Sequence, residues 1–281
     1  MFNFTTKNIA FLLSCASIPL FIFSAEAQTE DPNIGKPAPE LKIKEWATSK
    51  TVSDDDLKGH PYVIEFWATW CPPCRKSIPH MNEISQRVEP FGTKVIGISD
   101  EDADTVKPFA EKMDMMYYVG INAGTSGLEY KGIPFAAVID SDGEVAWAGH
   151  PMDQAFEQTV YDLTEKNAGK LQDAFKASRQ KNLGVAYKVL ASKKSANAEK
   201  ARQIIENNFR KMKAAAQTKN QIDKYQYLKK AYDLYQGVPG TKELSTTLKK
   251  LEEDSNVKEH LKEQKPFNDL EKQVQSIRRK A

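Results

Sequence analysis

Up to about residue 166 the sequence alternates two kinds of stretch, and after Asn167 one of them stops. YVIEFW (62–67), KVIGIS (94–99) and FAAVID (135–140) are short apolar runs bounded by turn signals, as expected of buried strands. Ser141-Asp142-Gly143 turns the third into EVAWAG (144–149), which predicts a hairpin. Helical stretches lie between and after them: Cys74 to about Val88, about Asp104 to Met113, and Asp153, a possible cap, to about Lys166. This alternation predicts an α/β unit with a mixed sheet. Beyond it, apolar residues recur only at helical spacing: Leu183, Ala186, Tyr187 and Leu190; Ile205, Phe209, Met212 and Ala216; Tyr225, Leu228, Tyr232 and Tyr235; Leu244, Leu248 and Leu251; Phe267, Leu270, Val274 and Ile277. The second half is therefore expected to be all helix, in four to six pieces, broken at Gly237-Val238-Pro239-Gly240. Residues 222–254 loosely resemble a single tetratricopeptide-like unit, without a tandem repeat. The stripes read as packing faces, not ligand sites.

Charge divides the chain at the same place. Residues 1–166 hold 14 Lys+Arg against 25 Asp+Glu, and residues 167–281 hold 26 against 13, together the net +2. Two differently charged surfaces suggest two units. The basic half reads first as solvated helix faces and second as a surface for an acidic partner or a membrane.

The N-terminus reads as a targeting segment. Lys7 precedes an apolar run from Ile9 to Phe23, and Ala25-Glu26-Ala27 has small residues where a signal peptidase cuts. The expected organisation is a signal peptide over 1–27, an α/β domain over 28–166 and a basic helical domain over 167–281. Lipidation at Cys15, after Leu12-Leu13-Ser14, is the rival, and an uncleaved anchor is the third reading. Cleavage after Ala27 would leave Cys71 and Cys74 as the only cysteines, in an oxidising compartment where stray thiols pair. An exported protein is a poor candidate for nucleic-acid binding.

Four chemistries suit two cysteines two residues apart. Structural zinc needs about four ligands, and the chain offers no second cysteine pair, only His60, His80, His150 and His260. Two thiolates could hold copper(I). A static disulfide here closes a tiny loop and removes little unfolded-state entropy. A redox-active pair is the strongest account. Cys71 falls where a strand ends and a helix starts, so unpaired N–H groups and the positive end of the helix dipole favour its thiolate. Arg75 and Lys76 add charge one turn on, or are ordinary solvated helix residues. Pro72 and Pro73 suit the first turn but remove two N–H donors that could face the sulfur. The expectation is a Cys71 thiol lowered only moderately in pKa, hence a reductant or mild exchanger. Glu65 is the other unusual residue, an acid inside an apolar run six residues before Cys71. Buried, it would tend to keep its proton and could exchange it with Cys74; on an edge strand it would face solvent instead.

FWATWCPPC resembles the active-site motif of the thioredoxin superfamily, and its surroundings resemble the exported TlpA/ResA-like family. IGKPAPELKI, near Gly35, is similar to that family's lead-in, and GIPFAAVIDSDGEVAWAG (132–149) to its proline loop, strand and hairpin. Pro134 follows Cys71 by 134 − 71 = 63 residues, which leaves room for that family's extra helix–strand insert. The resemblance covers about residues 33–166. It implies a thioredoxin-like fold, a mixed central sheet flanked by helices, followed here by an all-α extension that the family does not account for. It also implies roles: Cys71 as the attacking thiolate, Cys74 as the resolving thiol, Cys71–Cys74 as the redox disulfide and Pro134 as a cis-proline beside them. Ile133 would offer backbone pairing to a bound client segment, and Glu65 would stand at the position of the buried acid. Trp67 and Trp70 would line the approach to Cys71, or pack in the core, which is the first reading for Trp67; Pro72 and Pro73 would lie beside the client.

The expected activity is exchange of disulfides with client proteins by an exported thiol-disulfide oxidoreductase, acting as a reductant. No cofactor or metal is implied. A membrane electron donor would have to re-reduce the pair, and the helices could oligomerise or dock a partner. A scaffold whose helices are the working part and a copper(I) metallochaperone are the alternatives. A peroxidase is disfavoured, because Cys71 follows Trp-Ala-Thr-Trp and not a Pro-xxx-Thr-xx-Cys setting.

Overall fold

Strand β2 (Tyr62–Phe66) is buried at every position, so it can only be central. Its period of two serves two layers: Tyr62, Ile64 and Phe66 join Ile96, Ile98, Phe135, Ala137 and Ile139, while Val63 joins Trp67, Val95, Val119, Ala136 and Val138 on the other face. β3 (Lys94–Ser99) pairs with it in parallel and β5 (Phe135–Ile139) antiparallel. Outside these lie β4 (Tyr118–Asn122), parallel to β3, and the antiparallel edges β1 (Ile43–Trp46) and β6 (Val145–Gly149). The order is β1-β4-β3-β2-β5-β6, the mixed sheet of a thioredoxin-like fold. This architecture comes from a computed structural model that describes residues 31–122, 127–180 and 182–278. The expected signal peptide and Cys15 lie outside the described residues.

Four helices accompany the sheet: the single turn α1 (Asp54–Leu57), α2 (Pro72–Val88), α3 (Ala103–Lys112) and α4 (Gln154–Asn167). α2 buries Cys74, Ile78, Met81, Ile84 and Val88 against the Val63 face of the sheet. Asp153 caps α4, accepting from the N–H of Ala155 at 2.9 Å. The alternation did not reveal β1 or β4.

Six α-helices follow: α5 (Gln172–Gln180), α6 (Leu183–Ala191), α7 (Ala196–Ala215), α8 (Gln221–Tyr235), α9 (Thr241–Glu252) and α10 (Ser255–Arg278). Asn182, Ser195 and Asn220 cap α6, α7 and α8 with side-chain oxygens. Of the expected stripes, Leu183, Ala186, Leu190, Ile205, Phe209, Met212, Ala216, Tyr225, Leu228, Tyr235, Leu244, Leu248 and Leu251 are buried. Tyr187 and Tyr232 are half-buried. The side chains of Phe267, Leu270, Val274 and Ile277 lie outside the described residues. Gly184 lets α6 touch the turn after α8: a Cβ there would stand 1.9 Å from the carbonyl oxygen of Gln236. Among the described residues, no helix is long and apolar enough to cross a membrane.

One apolar core runs from Val63 under the sheet to Leu251 and Val257 in the helices, and residues 31–281 form one compact unit. Phe91 meets Phe175 edge-on at 5.1 Å across this seam. Several buried polar groups are paired there, which offsets their desolvation. Glu89 takes Lys50 at 2.5 Å, the hydroxyl of Tyr118 at 3.0 Å and the amide of Asn208 at 3.4 Å. The Tyr235 hydroxyl donates to Gln86 at 2.6 Å, and Arg87 donates to the carbonyl of Ser178 at 2.6 Å. Lys219 pairs with Asp114. The seam uses Lys50 just past the end of β1, Glu89 before β3, Tyr118 at the start of β4, and Gln86 and Arg87 from the C-terminal part of α2. The N-terminus of α2 points the other way.

Candidate active site

β2 ends at Phe66, a short loop follows, and Cys71 is the N-cap of α2, with Pro72 and Pro73 in the first helical turn. Cys71 and Cys74 form a disulfide with Cα atoms 5.3 Å apart. The next N–H after the two prolines is that of Cys74, and it points at Cys71 Sγ from 3.3 Å. The sulfur thus receives one donor from a helix start that could have offered several. Ile133–Pro134 is a cis peptide, and the Ile133 carbonyl oxygen lies 3.7 Å from Cys71 Sγ. Both cysteines are almost fully buried, whereas Trp70 beside them is 67% exposed. Pro72, Pro73, Arg75 and Lys76 are exposed, and Ile133 is half-buried.

The two tryptophans part company. Trp67 is only 2% exposed and packs on Phe109 with ring centres 5.7 Å apart, the core role that is its first reading from sequence. It falls on the inward face of β2, in register with Val63, so it serves the core. Trp70, in the loop, is the one that meets solvent.

Glu65 is completely buried on the central strand. Among the described residues, no cation accompanies it. Ser77 Oγ lies 3.0 Å from Oε1, and the Tyr117 hydroxyl donates to Oε2 at 3.2 Å. Burial pushes its carboxyl from 4.5 up to about 7, against the pull of these two hydroxyls. Tyr117 in turn is raised well above its usual range by burial and by Glu65. Gly97, opposite Glu65 on β3, makes the room: a Cβ there would stand 2.8 Å from the Tyr117 ring and 2.9 Å from Trp67 Nε1. Ser77 also lies 2.8 Å from the carbonyl oxygen of Cys74, one helical turn back.

The fold therefore gathers Cys71, Cys74, Ile133 and Pro134 within one site, with Trp70 next in the chain to Cys71 and Glu65 on the strand leading to it. The reading from sequence missed three groups. Ser77 could have been found, since three residues after Cys74 on a helix is the same face. Tyr117 could not, because only the sheet brings it to Glu65. Glu101 was also missed: its carboxylate accepts from the N–H and the hydroxyl of Thr69, both at 2.6 Å, and so fastens the loop carrying Trp70 and Cys71. Among the described residues, no three His, Cys, Asp or Glu side chains gather as a metal site requires.

The AhpC/TSA family model matches residues 34–161. A crystal structure of a thiol:disulfide interchange protein of the thioredoxin family from Chlorobium tepidum is 29% identical, covering 46% of this chain and 97% of that one, at a TM-score of 0.41. Thiol:disulfide interchange protein DsbE of Vibrio cholerae is 27% identical over 141 residues, 47% of this chain and 74% of the relative. Thiol-disulfide oxidoreductase ResA of Bacillus cereus is 33% identical over 144 residues, 50% of this chain and 83% of the relative. The family model and the likeness to ResA mean that the chain belongs to the AhpC/TSA thioredoxin-like family, among the thiol-disulfide oxidoreductases of the ResA and DsbE type.

Proposed function

We propose that this oxidoreductase is exported and works as a reductant of disulfides in client proteins. The observation that carries the direction is the single N–H on Cys71 Sγ. A reduced pair is a strong oxidant's product when its thiolate is heavily stabilised, and a poor one when it is not. Pro72 and Pro73 remove two donors, which favours electrons leaving the pair.

In this reading the Cys71 thiolate attacks one sulfur of a client disulfide, and the other client sulfur leaves as a thiolate that takes up a proton. Cys74 then gives its proton to Glu65 and attacks Cys71 Sγ. The second client sulfur leaves, and the pair ends oxidised, two electrons having passed to the client. A carboxyl that titrates near 7 is matched to that transfer at neutral pH. Trp70, Pro72, Pro73, Ile133 and Pro134 would hold the client segment, Ile133 through its backbone. A membrane dithiol donor would restore the reduced pair. Among the described residues, the hydrogen bonds named between α2 and the helical extension involve Gln86 and Arg87, at the end of α2 away from Cys71.

Reduction of insulin by dithiothreitol, followed by precipitation, tests the activity. The wild-type chain should accelerate it and Cys71→Ser should fall to the uncatalysed rate; a fully active Cys71→Ser chain would sink the reading. Thiolate absorbance in the reduced protein tests the direction, since a Cys71 pKa of about 4 would mark an oxidant.

A further inference from the structure

Ser77 is completely buried on α2, and its hydroxyl stands between two acceptors, Glu65 Oε1 at 3.0 Å and the Cys74 carbonyl oxygen at 2.8 Å. A serine in a helix commonly bonds back to the preceding turn, and by itself that means little. Here the second neighbour is the one acid on the strand leading to the redox pair. A hydroxyl has one hydrogen and two lone pairs, so it can serve one acceptor at a time while still accepting. With Glu65 ionised, the hydrogen belongs on Oε1. With Glu65 protonated on Oε1, that O–H donates to Ser77 Oγ, and the serine hydrogen turns to the Cys74 carbonyl. Neither state leaves a buried donor unpaired, and the two states differ in what the Cys74 turn receives. An apolar residue could satisfy neither.

We propose that Ser77 is a positioning residue for the proton step of disulfide exchange, holding the Glu65 carboxylate when Cys74 is to be deprotonated and handing its hydrogen to the Cys74 carbonyl once Glu65 has taken the proton. This rests on the proposed role of Glu65 as proton partner of Cys74. The step balances: Cys74 S–H becomes a thiolate, Glu65 becomes a carboxylic acid, and Ser77 keeps one hydrogen throughout. The titratable groups around Glu65 are Tyr117, through Oε2, and Cys74, through Ser77; Gly97 on β3 and Ala136 on β5 flank it in the sheet. What moves its proton is burial, opposed by the two hydroxyls.

The test follows the Glu65 carboxyl by carbon NMR in the full-length oxidised protein, alongside the pH profile of mixed-disulfide resolution in the reduced protein. Ser77→Ala should raise the Glu65 midpoint by about one pH unit, a tenfold change in proton affinity, and carry the midpoint of the resolving step up with it. Ser77→Thr, which keeps the hydroxyl, should stay near wild type in both. In a Glu65→Gln background the acid limb should vanish and Ser77→Ala should add no shift. An unmoved Glu65 midpoint in Ser77→Ala overturns the proposal. So does an equal Ser77→Ala shift in the Glu65→Gln background, which would mean that the serine acts through packing. An intact acid limb in Glu65→Gln instead removes the reading on which the proposal rests, whatever the NMR titration of Ser77→Ala gives.

Discussion

Glu65 and Glu89 are both buried glutamates, one on the central strand β2 and one in the turn after α2, and they keep different company. Glu89 sits at the seam with the helices and has a lysine, a phenol and an amide on its carboxylate. Glu65 sits on the strand leading to the cysteines and, among the described residues, has two hydroxyls on its carboxyl and no cation. A buried carboxylate with a cation is a fastening, while one without a cation is a group that can take up a proton near neutral pH. The seam end is thus built to stay shut. The cysteine end keeps an acid whose ionisation works against folding.

Opposite signs for the same substitution would sharpen this contrast. Glu89→Gln should be the larger effect, destabilising the chain by about 3–5 kcal/mol because Lys50 is left buried without its partner. All four tryptophans, Trp46, Trp67, Trp70 and Trp147, lie before the seam, so their fluorescence reports the sheet while far-ultraviolet circular dichroism reports chiefly the helices. With one continuous core, both signals should move together in a denaturant titration. Separation into two transitions would break the claim that sheet and helices share a core.

Glu65→Gln should do the reverse. The folded carboxyl is raised from 4.5 to about 7, so the folded chain binds more protons than the unfolded one across that window. Wild-type stability is therefore fullest below about pH 4.5 and is lost as pH rises through about 7, by about 3 kcal/mol in all. At pH about 8 the Glu65→Gln chain should be more stable than wild type by up to that amount, and near pH 4 the two should nearly coincide. Denaturant midpoints across pH measure it. A variant that is less stable than wild type at high pH would mean that Glu65 is fastened as Glu89 is.

Much of this was legible in the sequence, and unevenly. β2, β3, β5 and β6 could be read because continuous apolar runs with turn residues between them leave little else to form. β1 could not, since IKEW on an edge has two half-buried and two exposed residues and carries no pattern. β4 follows a methionine-rich stretch where helix and strand look alike. The cysteine pair, Pro134 and Glu65 were visible as local oddities, an acid within an apolar run above all. Tyr117 on Glu65 and Asn208 on Glu89 were not, because sequence neighbours say nothing about a partner 52 or 119 residues away. For the same reason the charge change after residue 166 suggested two separate surfaces, whereas the structure runs a single core beneath both.

The central claim is that Cys71 attacks and Cys74 resolves. Its most direct measurement is a trap: reduced Cys74→Ser protein mixed with a disulfide-containing client, quenched with acid and resolved without reductant. A mixed disulfide through Cys71 should accumulate in Cys74→Ser, be transient in wild type and be absent in Cys71→Ser. Accumulation in Cys71→Ser instead, with none in Cys74→Ser, would contradict the assignment.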